Sequence, residues 1–181
     1  MSCIEEVGFR TIEASGKIEK LIFSEEYGSK NPVVDIEKIA KETFDISCIE
    51  SEQLNDVELD SVLNTRKKMI LLNPKLKYAD RRIAISKELA SLYYSPNKNN
   101  DATNILARSF LMPNFIVKSF KRQGLSESQI LNECGFQNNN FMKEKFKDFE
   151  NMLNLRGSKN INQKLLKNPL QWISDFWLKK D

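Results

Sequence analysis

The 181-residue sequence contains no histidine. The chain therefore offers no imidazole nitrogen to a metal. Cysteine is also scarce: Cys3, Cys48 and Cys134 are far apart and odd in number, which matches neither a disulfide framework nor the close pairs of a zinc ribbon. They read as free, mostly buried thiols. No apolar run approaches the roughly 20 residues that span a bilayer, and the start, MSCIEEVGFR, lacks the basic-then-apolar layout of a secretory signal. These absences point to a cytoplasmic protein without membrane contact. No internal repeat is visible.

What remains is an ordinary globular composition, 40% hydrophobic and 29% charged, in a length that suits one domain, or a domain with a small appendage. Its charge is unevenly spread. Residues 1–60 carry 6 Lys and Arg against 15 Asp and Glu, residues 61–181 carry 22 against 10, and the whole sums to +3. Such asymmetry marks either an anionic partner for the basic part or acidic and basic layers that attract each other within one fold.

The chain is organised around Ala79 to Tyr94, where Ile83, Ile85, Leu89, Leu92 and Tyr93 recur at helical spacing, so this stretch is expected to be a central helix. Upstream, Val57 to Leu63 and Lys68 to Leu72 read as two strands joined by Asn64-Thr65-Arg66-Lys67. Earlier still, helices are expected over Lys17 to Gly28 and, capped by Asp35, over Ile36 to Phe44, with a short strand at Ile46 to Ile49. Tyr94 to Asp101 reads as an exposed loop, and Asn104 to Met112 as a helix stopped by Pro113. Helices then follow at Asn114 to Arg122, at Glu127 to Cys134 behind a Ser126/Gln129 capping box, and at Asn138 to Leu153.

This order of parts resembles the ImmA/IrrE family of small zinc metallopeptidases. The family's R-F-T-x-A-H-E-L-G-H helix corresponds to Arg82-Ile83-Ala84-Ile85-Ser86-Lys87-Glu88-Leu89-Ala90-Ser91, and its A-N-x-F-A-A-x-L-L-M-P to Thr103 through Pro113. Pro32 to Ala40 looks like its P-x-D-I-x-x-I-A helix, and the likeness covers roughly residues 17 to 146. The resemblance implies a zincin-like α+β fold, mainly helical, with a small antiparallel sheet or hairpin packed on the central helix. In the family, two histidines bind zinc and the glutamate after the first acts as general base. Lys87 and Ser91 stand at the two histidine positions and Glu88 alone is kept; Asp101 is the carboxylate nearest the third ligand's position. Stripping Lys87 of its proton at pH 7 would cost about 4 to 5 kcal/mol before any metal could gain. Lys87 and Ser91 are four apart, as in a lysine-activated serine, but no oxyanion donor is identifiable, and Glu88 is expected to pair with Arg81 or Lys87. The implied protein is a metal-free, cofactor-free pseudopeptidase, with Lys87, Glu88, Ser91 and Asp101 marking an inherited groove that holds a protein partner. Because family members commonly sit beside repressors in phages and mobile elements and cleave them, the partner is expected to be a repressor or a host complex.

A second constellation follows Pro113. The string Ile130 to Phe141 also resembles the second helix-turn-helix of AraC-type regulators. In a DNA reader, Gln137, Asn138, Asn139 and Asn140 would face base edges while Lys121, Lys143, Lys145 and Lys147 met phosphates; otherwise the segment packs on the core without touching DNA. Asn154 to Asn162 reads as a polar link. Beyond it, Pro169 opens a helix whose Trp172, Ile173, Phe176 and Trp177 form one stripe, covered by its own domain or serving as an interface, a homodimer included. The sequence therefore divides as a peptidase-like domain over 1–113, a helix-turn-helix-like segment over 114–153, and a link with an aromatic helix over 154–181. Three functions stay in play: a pseudopeptidase that binds protein, a DNA-binding regulator using residues 126–149, and a mobile-element inhibitor of a host defence complex.

Overall fold

A computed structural model describes residues 31–93 and 100–157. The helix expected over Lys17 to Gly28, most of the Tyr94 to Asp101 loop and the aromatic stripe of Trp172, Phe176 and Trp177 lie outside the described residues.

The first helix, α1 (Ile36–Phe44), starts where Asp35 accepts the Lys38 amide at 3.0 Å and buries Ile36, Ile39, Ala40 and Phe44. It ends at Asp45, left-handed at φ 54°, whose carboxylate takes the ammonium groups of Lys41 and Lys68 at 3.4 and 3.1 Å. Strand β1 (Ser47–Glu50) follows, then a single helical turn, α2 (Gln53–Asp56), and the strands β2 (Ser61–Asn64) and β3 (Met69–Leu72). The sheet runs β1-β3-β2, with β2 antiparallel and β1 parallel to β3. The hairpin is as expected, but the sheet is mixed and not wholly antiparallel. The intervening α2 and β2 provide the crossover that a parallel pair requires. Strand β2 also begins four residues later than expected, because Glu58 at φ 52° turns the chain after α2.

Helix α3 (Tyr78–Ser91) is the central one. It buries Ile83, Ala84, Ile85, Leu89 and Ala90 and packs on α1, on both strands of the hairpin and most extensively on α4 (Asn100–Leu111). Residues 100 and 101 therefore belong to a helix and not to the preceding loop. Pro113 prevents α4 from continuing and caps α5 (Asn114–Arg122). Gly124, at φ +81°, closes α5 in a conformation that costs glycine least. Helix α6 (Glu127–Glu133) opens with the reciprocal Ser126/Gln129 capping box.

The single helix expected from Asn138 to Leu153 is two, α7 (Asn140–Lys143) and α8 (Lys145–Gly157). Asn138 is left-handed at φ 57° and Asn139 accepts the Met142 amide at 3.0 Å, which fixes the start of α7 two residues late. Helix α8 runs on to Gly157, so the first part of the expected polar link is helical. One contiguous apolar cluster joins Val34, Phe44, Ile70, Leu72, Leu89 and Phe110 to Ile116, Phe120, Ile130, Phe136, Phe146 and Phe149. The helices beyond Pro113 thus share the core of those before it. The fold is mixed, mostly helical, with one small three-stranded sheet on a central helix.

Candidate functional site at the edge of the sheet

The site is set by the alternation of the hairpin ladder. Asn73 donates its amide to the Asp60 carbonyl at 2.9 Å, which marks that pair as hydrogen-bonded. Residues two further along β2 bond inward to β3, and those between, Ser61 and Leu63, turn their backbone N–H and C=O to the outer edge. The Glu88 carboxylate of α3 meets that edge. It accepts the Ser61 hydroxyl at 2.7 Å and the Leu63 backbone N–H. Burial raises the Glu88 pKa above the usual glutamate value, and these two hydrogen bonds oppose the shift without cancelling it.

The ion pair expected between Glu88 and Arg81 or Lys87 is not the arrangement found. Arg81 instead reaches Glu37 at 2.7 Å and Glu50 at 2.6 Å, tying α3 to α1 and β1. Lys87 is exposed, with its ammonium 4.7 Å from the centre of the Phe141 ring. Ser91 donates its hydroxyl at 2.6 Å to the Glu88 carbonyl one turn back, so its proton goes to its own helix and not to Lys87. Asp101 is exposed in the first turn of α4, and among the described residues no hydrogen bond or ion pair joins it to the other three. Of the four residues expected to mark a groove, the fold brings Lys87, Glu88 and Ser91 onto one turn and leaves Asp101 apart.

This donor set does not fit the zinc that the family resemblance implies. One histidine position carries an ammonium against an aromatic ring, the second a hydroxyl committed to the helix, and Asp101, the carboxylate nearest the third ligand's position, stands apart at the start of α4. Zinc prefers thiolate, imidazole or free carboxylate.

Phe141 links this turn to the C-terminal helices. Its other cationic neighbour is Arg108, with the guanidinium carbon 5.2 Å from the ring centre. Arg108 forms a buried two-pronged pair with Asp148 at 2.6 and 3.1 Å. Lys145, expected among the phosphate contacts, is instead fully buried and donates to Ser109 at 2.8 Å; the helical turn that puts Phe146, Asp148 and Phe149 inward carries Lys145 with them. Nearer the start of α3, Arg82 is buried and donates to the Cys134 carbonyl at 3.0 Å, beneath the Phe136 ring at 4.2 Å. Its Nε and Nη2 have no acceptor among the described residues, and burial lowers its pKa. Burial likewise pushes the thiol of Cys134 up to about 12 and that of Cys48 to about 11.

Of the remaining candidates, Gln137, Asn138 and Lys143 line an open cleft of about 430 Å³ between α6 and α7, together with Glu127 and Asn132. Gln137, Asn138 and Asn140 are exposed, but the Asn139 side chain is taken by its capping bond. Lys143 bonds Asn140 at 3.2 Å and Lys147 pairs with Glu144 at 3.0 Å. Lys121 lies 3.9 Å from Glu127 and 3.7 Å from Glu150.

Ser61 and Phe141 were not legible as site residues. Ser61 stands 27 positions before its carboxylate partner, and only the strand alternation of β2, once its start is known, turns it toward α3.

No family model matches the chain, and no curated protein matches it. A solved transcriptional regulator from Mycobacterium tuberculosis is similar in structure, with 13% identity and a TM-score of 0.49 over 90% of this chain and 54% of that one. The chain spans about half the length of that protein.

Proposed function

We propose that the chain is a pseudopeptidase of ImmA/IrrE type that binds a protein partner and does not cut it. The observation that carries this reading is the Glu88 carboxylate, held by Ser61 and Leu63 at the open edge of the sheet, one residue from an ammonium where a ligand would stand. A carboxylate whose oxygens already accept the Ser61 hydroxyl and the Leu63 N–H has its lone pairs committed, and is poorly placed to take a proton from water. The edge itself remains suited to recognition. With the Leu63 N–H taken by Glu88, the outward backbone groups of Ser61 and the Leu63 carbonyl can still pair with an extended segment of another protein by strand addition. The resemblance supplies the class of partner, a repressor or a host complex.

The DNA-binding reading has one observation in its favour, the amide-lined cleft between α6 and α7. The electrostatics weigh against it. Between residues 126 and 149, Glu127, Glu133 and Glu144 are exposed carboxylates against the exposed ammonium groups of Lys143 and Lys147; Lys147 is already paired, and Lys121 lies near Glu127 and Glu150. A surface of that balance repels a phosphate backbone.

The test is to mix the untagged full chain with a purified helix-turn-helix repressor, with and without added zinc. The proposal predicts a complex on gel filtration and intact repressor in both samples. Cut repressor that disappears on chelation would refute it.

A further inference from the structure

The sheet has a second face that the site does not use. Ile49 and Val62 both pair with Leu71, so one aliphatic row crosses all three strands. Alternation puts this row opposite Ile70 and Leu72, which are fully buried against the helices. Ile49 is 44% exposed and Val62 37%, and Val57 and Leu59 just before β2 are exposed at 58% and 46%. The connection into β2 carries exposed Glu52, Asp56, Glu58 and Asp60, and no Lys or Arg occurs from residue 42 to residue 65. An aliphatic row beside a wholly acidic connection calls for an apolar and basic occupant.

We propose that this face docks the chain's own C-terminal segment, residues 164–181. That segment has the matching chemistry: Trp172, Ile173, Phe176 and Trp177 at helical spacing, flanked by Lys164, Lys167, Lys179 and Lys180 against Asp175 and Asp181. In the helix that its spacing predicts, a ridge over six residues would be about 7.5 Å long, and a row across three strands is about 10 Å wide. Residues 158–171 can extend about 45 to 50 Å, more than the roughly 30 Å breadth of a domain this size. Reach therefore excludes no face, and charge with apolar match selects this one. The opposed charges of the two halves of the sequence then attract each other within one molecule. The inference is independent of the proposed function, which uses the edge of β2 and not this face.

Both tryptophans of the chain lie in the segment, so indole fluorescence reads it alone. In the full chain the indoles should be shielded from acrylamide. Ile49→Asp with Val62→Asp should raise the quenching constant several-fold and shift emission to the red, while the far-ultraviolet circular dichroism stays unchanged. Indoles already open to quencher in the unaltered chain, or shielding that survives the double substitution, would overturn the proposal. Shielding that falls on dilution together with a dimer-to-monomer change in sedimentation would assign the face to a second copy and overturn it equally. As a route independent of the folding of the aspartate variant, Val62→Cys with Phe176→Cys, in a chain with its native cysteines replaced by serine, should oxidise to an intrachain disulfide. A free dithiol or only intermolecular product after oxidation would contradict the docking.

Discussion

Asp148→Ala puts the coupling of the C-terminal helices to the site under direct test. Arg108 and Asp148 are about nine-tenths buried and joined by two hydrogen bonds of 2.6 and 3.1 Å. Removing the carboxylate leaves a guanidinium buried beside Phe141 without its counter-charge, a change that costs about 3 to 5 kcal/mol. In a chain of this size that loss lowers the melting temperature by roughly 6 to 20 °C. Replacing both partners, Arg108→Met with Asp148→Leu, leaves no unpaired charge and should return most of the stability, because the two charges also gave up hydration on burial. Urea unfolding followed by circular dichroism measures both. A cost below about 1 kcal/mol for the single substitution is what a solvent-exposed pair gives, and it would refute the packing of α8 on α4 described above.

Glu88→Gln should change how stability depends on pH. The folded pKa of Glu88 is raised, so the folded state holds its proton more tightly than the unfolded chain does. Its contribution is favourable below the ordinary glutamate range and is lost as pH rises through the folded pKa. The glutamine variant, which keeps an acceptor for Ser61, should therefore gain on the parent above that range, with a flatter profile in urea melts from pH 4 to 8; a variant that loses stability at pH 7 would contradict this. Gly135→Ala places a methyl group 3.2 Å from Arg82 Nη1 on a backbone at φ +76°, and should cost about 1 to 3 kcal/mol in the same melts. Ser126→Ala removes one half of the α6 capping box and should cost about 1 kcal/mol. In a low-salt mobility-shift assay the chain should retard no duplex DNA at micromolar concentration.

The helix starts behind Asp35 and Ser126 were the most legible part of the fold. Asp35, Ser126 and Gln129 act through short-range hydrogen bonds that a sequence displays directly, and the helices they open begin where expected. The central helix followed from its apolar spacing. Two late starts were hidden because they depend on left-handed residues that are not glycine: Glu58, which delays β2, and Asn138, which delays α7. The parallel pairing of β1 with β3 is a long-range choice that no local signal carries. At the site, the positions of Lys87, Glu88 and Ser91 on one turn were readable from helical spacing. The partners were not: Ser61 comes from a strand edge and Phe141 from a helix start more than 50 residues further on.

Zinc titration of the Lys87→His, Ser91→His double variant beside the unaltered chain addresses the central claim most directly. If the turn around Glu88 keeps the shape of a metallopeptidase centre and lacks only its ligands, the double variant gains a zinc site, each single variant binds far more weakly, and the unaltered chain takes up none in calorimetry. Stoichiometric zinc on the unaltered chain, or none on the double variant while its fold is intact, would contradict the account.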